Sequence, residues 1–169
     1  MFRKSYHWVN NRNAFVVFLA LVAVPVGLMA LHGSLRNHGC ALQNNAVHNM
    51  RSLPILVITY REAYGTYPPS LAALGPPPSG QPSSTEAAGY IDPKLASGNY
   101  IGYFFHYTLK KPLHNGDSPA GYVIVADPIV DDPGRHHYYV SEDAIVRSEE
   151  RRPATAESPQ SNEDSCVCW

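Results

Sequence analysis

The sequence predicts an α+β protein in which one long amino-terminal helix, starting in an apolar segment, packs on a small antiparallel β-meander. Three observations carry that prediction. Residues 14–31 read AFVVFLALVAVPVGLMAL without a charged side chain. From Leu42 to Tyr64 the apolar residues Val47, Met50, Leu53, Val57, Tyr60 and Tyr64 recur at spacings of three and four, the period of a helix with one buried stripe. From Tyr100 onward, short runs rich in aromatic and β-branched residues alternate with clusters of Pro, Gly, Asn and Asp.

Composition narrows the class. The chain has 169 residues, a net charge of −1 and a pI near 6.7. Thirteen Lys and Arg spread along it make no basic patch, which excludes a nucleic-acid partner. Once the apolar front and the polar end are set aside, one small domain of roughly 110–120 residues remains. Fifteen Pro, twelve Gly and eleven Tyr describe short elements joined by rigid turns, with aromatic rings filling a small core.

The first element follows from length. Eighteen helical residues rise about 27 Å, close to the hydrocarbon thickness of a bilayer. Pro25 and Gly27 are tolerated in lipid, and Ala20, Ala23, Gly27 and Ala30 permit close helix approach. Arg3, Lys4 and Arg12 precede the run with no acidic residue among them, so the positive-inside rule keeps the amino terminus cytoplasmic. The expected layout is a cytoplasmic basic flank at residues 1–13, a transmembrane helix at 14–35, an extracytoplasmic α+β domain at 42–148 and a disordered tail at 149–169. That layout is the one expected of a single-pass inner-membrane protein with its carboxy-terminal domain periplasmic or extracellular. The alternative is a secreted monomeric binding module released by signal peptidase, since Gly39-Cys40-Ala41 has the small-x-small look of a cleavage site. Lipidation at Cys40 is excluded by Asn37, which stands where a lipobox needs an apolar residue.

Beyond the membrane, Pro54 is expected to kink the helix or break it near Ser52. Gly65 to Pro68 should end it. Leu71 and Leu74 belong to a short helical turn, and GPPPSGQPSSTEAAG at 75–89 to a surface loop. In YIGYFFHYTL, one strand is expected from Tyr100, with Tyr103, Phe105 and Tyr107 on one face and Phe104 and His106 on the other. Strands at Tyr122–Ala126, His136–Val140 and Ala144–Arg147 follow, and short connections make the set antiparallel. The end of the chain, SEERRPATAESPQSNEDSCVCW, reads as disordered.

For chemistry, Asp127, Asp131 and Asp132 in ADPIVDDPGRHH form the candidate metal site: carboxylates on a loop between strands can hold Ca²⁺, and Asp-Pro is equally a turn former. No other cofactor is indicated. His136 and His137, with His106 and His114, invite a metal reading, but adjacent strand residues point to opposite faces, so His136 and His137 would not share one ion and one of them is expected to pack across strands, partly buried. No GxSxG, HExxH or phosphate-binding glycine loop appears, and no catalytic residue is assigned; the chain does not read as an enzyme. Cys40, Cys166 and Cys168 are an odd set, and Cys166 and Cys168 stand too close for easy mutual bridging, so no disulfide scaffold is expected.

In order, REAYGTYPPSLAAL, IDPKLASG, GYFFHY, GYVIVADP, GRHHYY and IVR resemble the globular region of type IV pilin-like proteins, in particular the major pseudopilins of type II secretion. The resemblance covers Leu42 to Ser148. It implies a pilin-like fold whose amino-terminal helix is half membrane anchor and half support for a sheet. It also implies a structural or assembly role in a bacterial type II secretion or type IV pilus system, with no catalysis. Implied partners are the membrane and other pilin-like subunits or secretion-system components, in a homo-oligomer or filament; calcium in a sheet loop is a family trait. Two departures stand out. At the candidate junction Ala14-Phe15 the fifth following residue is Leu19, where the family carries its assembly Glu, and Ala144 occupies a turn position where relatives have Gly.

Overall fold

A computed structural model describes residues 11–112, 119–130 and 134–161; within its first helix the described side chains are Ala23, Val24 and those from Gly39 onward. The chain divides into two compact units, Met1–His38 and Gly39–Trp169. Helix α1 has the bounds Asn11–Tyr64. Among the described residues no helix is long and apolar enough to cross a membrane. Most side chains of residues 14–35, where the anchor is expected, lie outside the described set.

In the second unit, α1 buries Ala46, Met50, Leu53, Val57 and Tyr60, each at 2% exposure or less. Of the kink or break expected at Pro54, the break does not occur: the helix is continuous through it, and Pro54 is itself buried beside Leu53. A proline inside a helix costs about 3 kcal/mol, whereas burying Leu53 and Val57 contributes roughly 1.5–3 kcal/mol apiece. Packing wins over the lost hydrogen bond. Gly65 ends α1 as its sequence position suggests, at φ +78° with its N–H donating to the Arg61 carbonyl at 2.8 Å.

A 3₁₀ turn, η1, follows at Leu71–Leu74 with Leu71, Ala73 and Leu74 buried. The loop after it is pinned rather than loose. Ala88 and Tyr90 donate to the Ala73 and Leu74 carbonyls, both at 2.8 Å. A second helix, α2 (Pro93–Ala96), starts at Asp92, whose carboxylate accepts from the N–H groups of Lys94 and Leu95 at 2.9 and 3.1 Å, with Pro in the first turn.

Five strands form one antiparallel meander in chain order: β1 Asn99–Tyr100, β2 Tyr103–Lys110, β3 Gly121–Pro128, β4 His137–Ser141 and β5 Arg147–Glu149. The α+β class and the meander agree with the sequence reading. The single strand expected from Tyr100 is instead a hairpin, turned at Ile101 (φ +44°) and Gly102 (φ +79°). Positive φ at both central residues matches the right-handed twist of the flanking strands; a β-branched residue is unusual there, which hid the turn. Alternation holds along β2, β3 and β4, where Tyr103, Phe105, Tyr122, Ile124, Ala126, Tyr138 and Val140 turn to the core while Phe104 and His106 face out.

Two further expectations change. The polar end is ordered through residue 161: Ser148 N–H donates to the Pro159 carbonyl at 3.0 Å, Ser161 N–H to Val146 at 2.9 Å, and Ala154, Ser158 and Ser161 are buried. The edge of β5 offers backbone groups that this segment pairs, and Pro153 and Pro159 reduce the entropy lost in doing so. Cys40, 5% exposed, is disulfide-bonded, so the cysteines do form a covalent tie; Cys166 and Cys168 lie outside the described residues.

Candidate functional site

The helix is locked to the sheet by a polar junction at one end of the head. Gln43 is 6% exposed at a position of the buried stripe, one helical turn before Ala46. Its Nε2 donates to the Gly134 carbonyl at 2.8 Å, and its Oε1 lies 2.9 Å from His136 Nδ1 and 3.4 Å from the Tyr138 hydroxyl. The Tyr103 hydroxyl donates to the His136 carbonyl at 3.1 Å, tying β2 into the same junction. A buried amide can be satisfied only if its partners stand where its oxygen and nitrogen point, so this set fixes the register of helix on sheet. Sequence reasoning missed Gln43. The signal was a lone polar residue in phase with the stripe.

His136 and His137 do face opposite ways. His136 turns to Gln43 and stacks on Tyr138 with ring centroids 6.4 Å apart. His137 lies on the outer face, where its Nδ1 is 2.6 Å from Asp127 Oδ1 across the β3–β4 ladder. Asp127 therefore sits in a strand and not in the loop expected of it, opposite Phe104 on its other side. Asp131, Asp132 and His114 lie outside the described residues, and among the described residues no cluster of His, Cys, Asp or Glu is grouped to hold a metal ion. The Asp127–His137 pair is a cross-strand link, 32% and 10% exposed at the side chains.

Toward the other end the core is a run of tyrosines. Tyr107 and Tyr122 stack at 5.9 Å, and Tyr67 meets Tyr122 edge-on at 5.6 Å under the Arg61 guanidinium. Tyr60 donates to the Thr85 carbonyl at 2.6 Å, fixing the loop, but the buried hydroxyls of Tyr107 and Tyr122 have no hydrogen-bond partner among the described residues. Burial pushes the phenols of Tyr103 and Tyr122 up to about 12, and those of Tyr107 and Tyr138 upward as well.

Two surfaces of this unit suit association. A cavity of about 360 Å³ lies between Ile55, Ile58 and Glu62 on α1, Tyr122 on β3, and Glu142 and Ala144 in the β4–β5 turn, and Ile55 is 66% exposed beside it. The second is a strand edge. Phe105 N–H donates to the Gly98 carbonyl at 2.7 Å, which sets odd-numbered N–H groups of β2 toward β1, but β1 pairs only with Tyr103 and Phe104. On that side Tyr107 and Leu109 have no strand partner among the described residues, beside a groove of about 290 Å³ lined by Ser70, Ser97, His106 and Thr108.

Such surfaces can bind extended chain or a neighbouring helix; what the geometry provides is contact area and backbone donors. No protein-family model matches the chain, and no curated protein and no solved structure is similar enough to register as a match.

Proposed function

We propose that this is a membrane-anchored, pilin-like structural or assembly protein of a type II secretion or type IV pilus system. Its helix starts as an anchor and continues as the support of an extracytoplasmic head. The observation that carries the reading is the buried stripe Ala46, Met50, Leu53, Val57 and Tyr60 of α1, under a meander whose tyrosine-rich face closes on it. A head built on a helix that begins in an apolar run is the arrangement the motif order in the sequence implies. The partners are other pilin-like subunits or secretion-system components, met through Ile55 and Ile58 on the helix and through the edge of β2.

Release as a secreted module is the weaker reading. Cleavage near Ala41 would fall within α1 and beside a buried, disulfide-bonded Cys40, stripping a covalent tie from the head. The test of the association is a photo-crosslinking residue at Ile55 in intact membranes. Adducts of higher mass that disappear with a second substitution, Ile58→Asp, are the expected result. Monomer alone would refute the proposal.

A further inference from the structure

The end of the head where the chain enters carries an exposed apolar tip. Ile101, Phe104, Ile129 and Val130 are 39%, 41%, 43% and 56% exposed. They are neighbours: Ile129 N–H donates to the Gly102 carbonyl at 2.9 Å, and Phe104 pairs with Asp127 two residues before Ile129. This tip belongs to the root of the head, because a Cβ on Gly102 would stand 3.2 Å from Leu42 Cδ1 and Gln43 bonds the Gly134 carbonyl. The opposite end of the sheet, at Glu142 and Ala144, lies by Ile58 and Glu62 instead.

We infer that this tip rests in the membrane interface, inserting Ile101, Phe104, Ile129 and Val130 among lipid headgroups and upper acyl chains. The inference rests on the anchored reading of residues 14–35. What names the occupant is the length of chain between anchor and head. Only three residues separate Leu35 from Gly39, where the compact head begins, and the four steps between the two reach at most about 14 Å. A root tethered so closely to a membrane segment holds any exposed apolar group beside it at interfacial depth, where aliphatic and aromatic side chains insert by about 5–10 Å. Asp131 and Asp132 follow Val130 directly in the sequence, so the contact is apolar and not an attraction to anionic lipid. Partial insertion fixes the tilt of the head, and so the direction in which the β2 edge and the Ile55 face meet a partner.

The experiment uses the full chain in nanodiscs of zwitterionic lipid, with and without a gadolinium-chelate lipid, reading relaxation of backbone amides by NMR. Amides of Ile101, Phe104, Ile129 and Val130 are expected to relax several-fold faster than that of Ile145, at the far end, and only when the chelate lipid is present. The double substitution Ile129→Ser with Val130→Ser should reduce the enhancement at Phe104 while leaving the thermal midpoint of the head unchanged. Equal enhancement at tip and far end overturns the inference, as does broadening that needs no chelate and grows with protein per disc, which would mark a second copy as the occupant. Carbonate extraction of the same chain from membranes separates the two readings. Release by carbonate overturns the anchor and this inference with it; retention with equal enhancement overturns this inference alone.

Discussion

Replacing Gln43 by Met keeps the length and burial of the side chain and removes every polar contact it makes. Two of those contacts are short, at 2.8 Å to the Gly134 carbonyl and 2.9 Å to His136 Nδ1, and the third, to Tyr138, is long at 3.4 Å. Each short neutral hydrogen bond contributes about 1 kcal/mol net, and a carbonyl left without a donor in a buried site adds part of its desolvation cost, for a total of about 2–3 kcal/mol. For a head of this size that loss corresponds to roughly 8–12 °C in melting temperature. The assay is thermal unfolding of the full chain in detergent, disulfide intact, followed by near-ultraviolet circular dichroism of the tyrosines. Asn45→Met is the control: its amide donates to the Ala41 carbonyl at 2.8 Å, one turn back on the exposed face of the same helix. Its substitution should change stability by no more than about 0.5 kcal/mol. A loss at Gln43 as small as that of the control would refute the claim that this junction fixes helix to sheet.

The remaining expectations follow from single contacts. Tyr122→Phe removes a buried hydroxyl without a partner among the described residues and should leave stability unchanged or raise it by about 1 kcal/mol in urea titration, whereas a loss of that size would mean the hydroxyl is satisfied. Ala144→Gly relieves a non-glycine residue at φ +56° and should stabilise by about 0.5–1 kcal/mol, net of the extra freedom glycine has in the unfolded chain. Burial raises the pKa of Glu142, but the hydrogen bond from Lys110 at 2.6 Å, the backbone N–H groups of Glu142 and Tyr122 and the Lys110 charge together outweigh this and hold it below the usual carboxylate value. A lowered folded pKa gives stability above the unfolded value that is lost as pH falls through the folded one; Glu142→Gln should therefore flatten the decline below about pH 4.5 in an acid titration. The phenols shift the other way: with Tyr103 and Tyr122 raised to about 12 from 10.0, their stabilising contribution is complete below pH 10 and lost as pH rises toward 12, so absorbance at the phenolate band should show a late group of tyrosines that ionise with unfolding.

What the sequence made legible was periodicity. The helical stripe from Met50 to Tyr60 and the alternation of Tyr103, Phe104 and Phe105 are set by which side chains must leave water, and both stand in the fold. What it hid were features decided by contacts between distant residues. Pro54 reads as a breaker until the burial of its neighbours Leu53 and Val57 is weighed. Ile101 does not look like a turn residue, and its positive φ is imposed by the pairing of Tyr100 with Tyr103. Ala144 stands where a glycine was expected, and its backbone keeps the left-handed conformation a glycine would take, at φ +56°. The polar end was judged by composition, which says nothing of the open strand edge waiting at β5 for Pro159, Gln160 and Ser161. Of the candidate site, the opposed histidines were readable from the two-residue repeat, but the carboxylate that His137 meets, 2.6 Å away on the next strand, was not.

The central claim is that the apolar run remains attached to the head and holds it at a membrane. Intact mass of the protein recovered from carbonate-washed membranes tests it most directly. The account expects a membrane-retained species that still contains residues 15–35, starting at Met1 or at Phe15. A soluble species beginning near Cys40 to Leu42, with nothing left in the membrane, would contradict it.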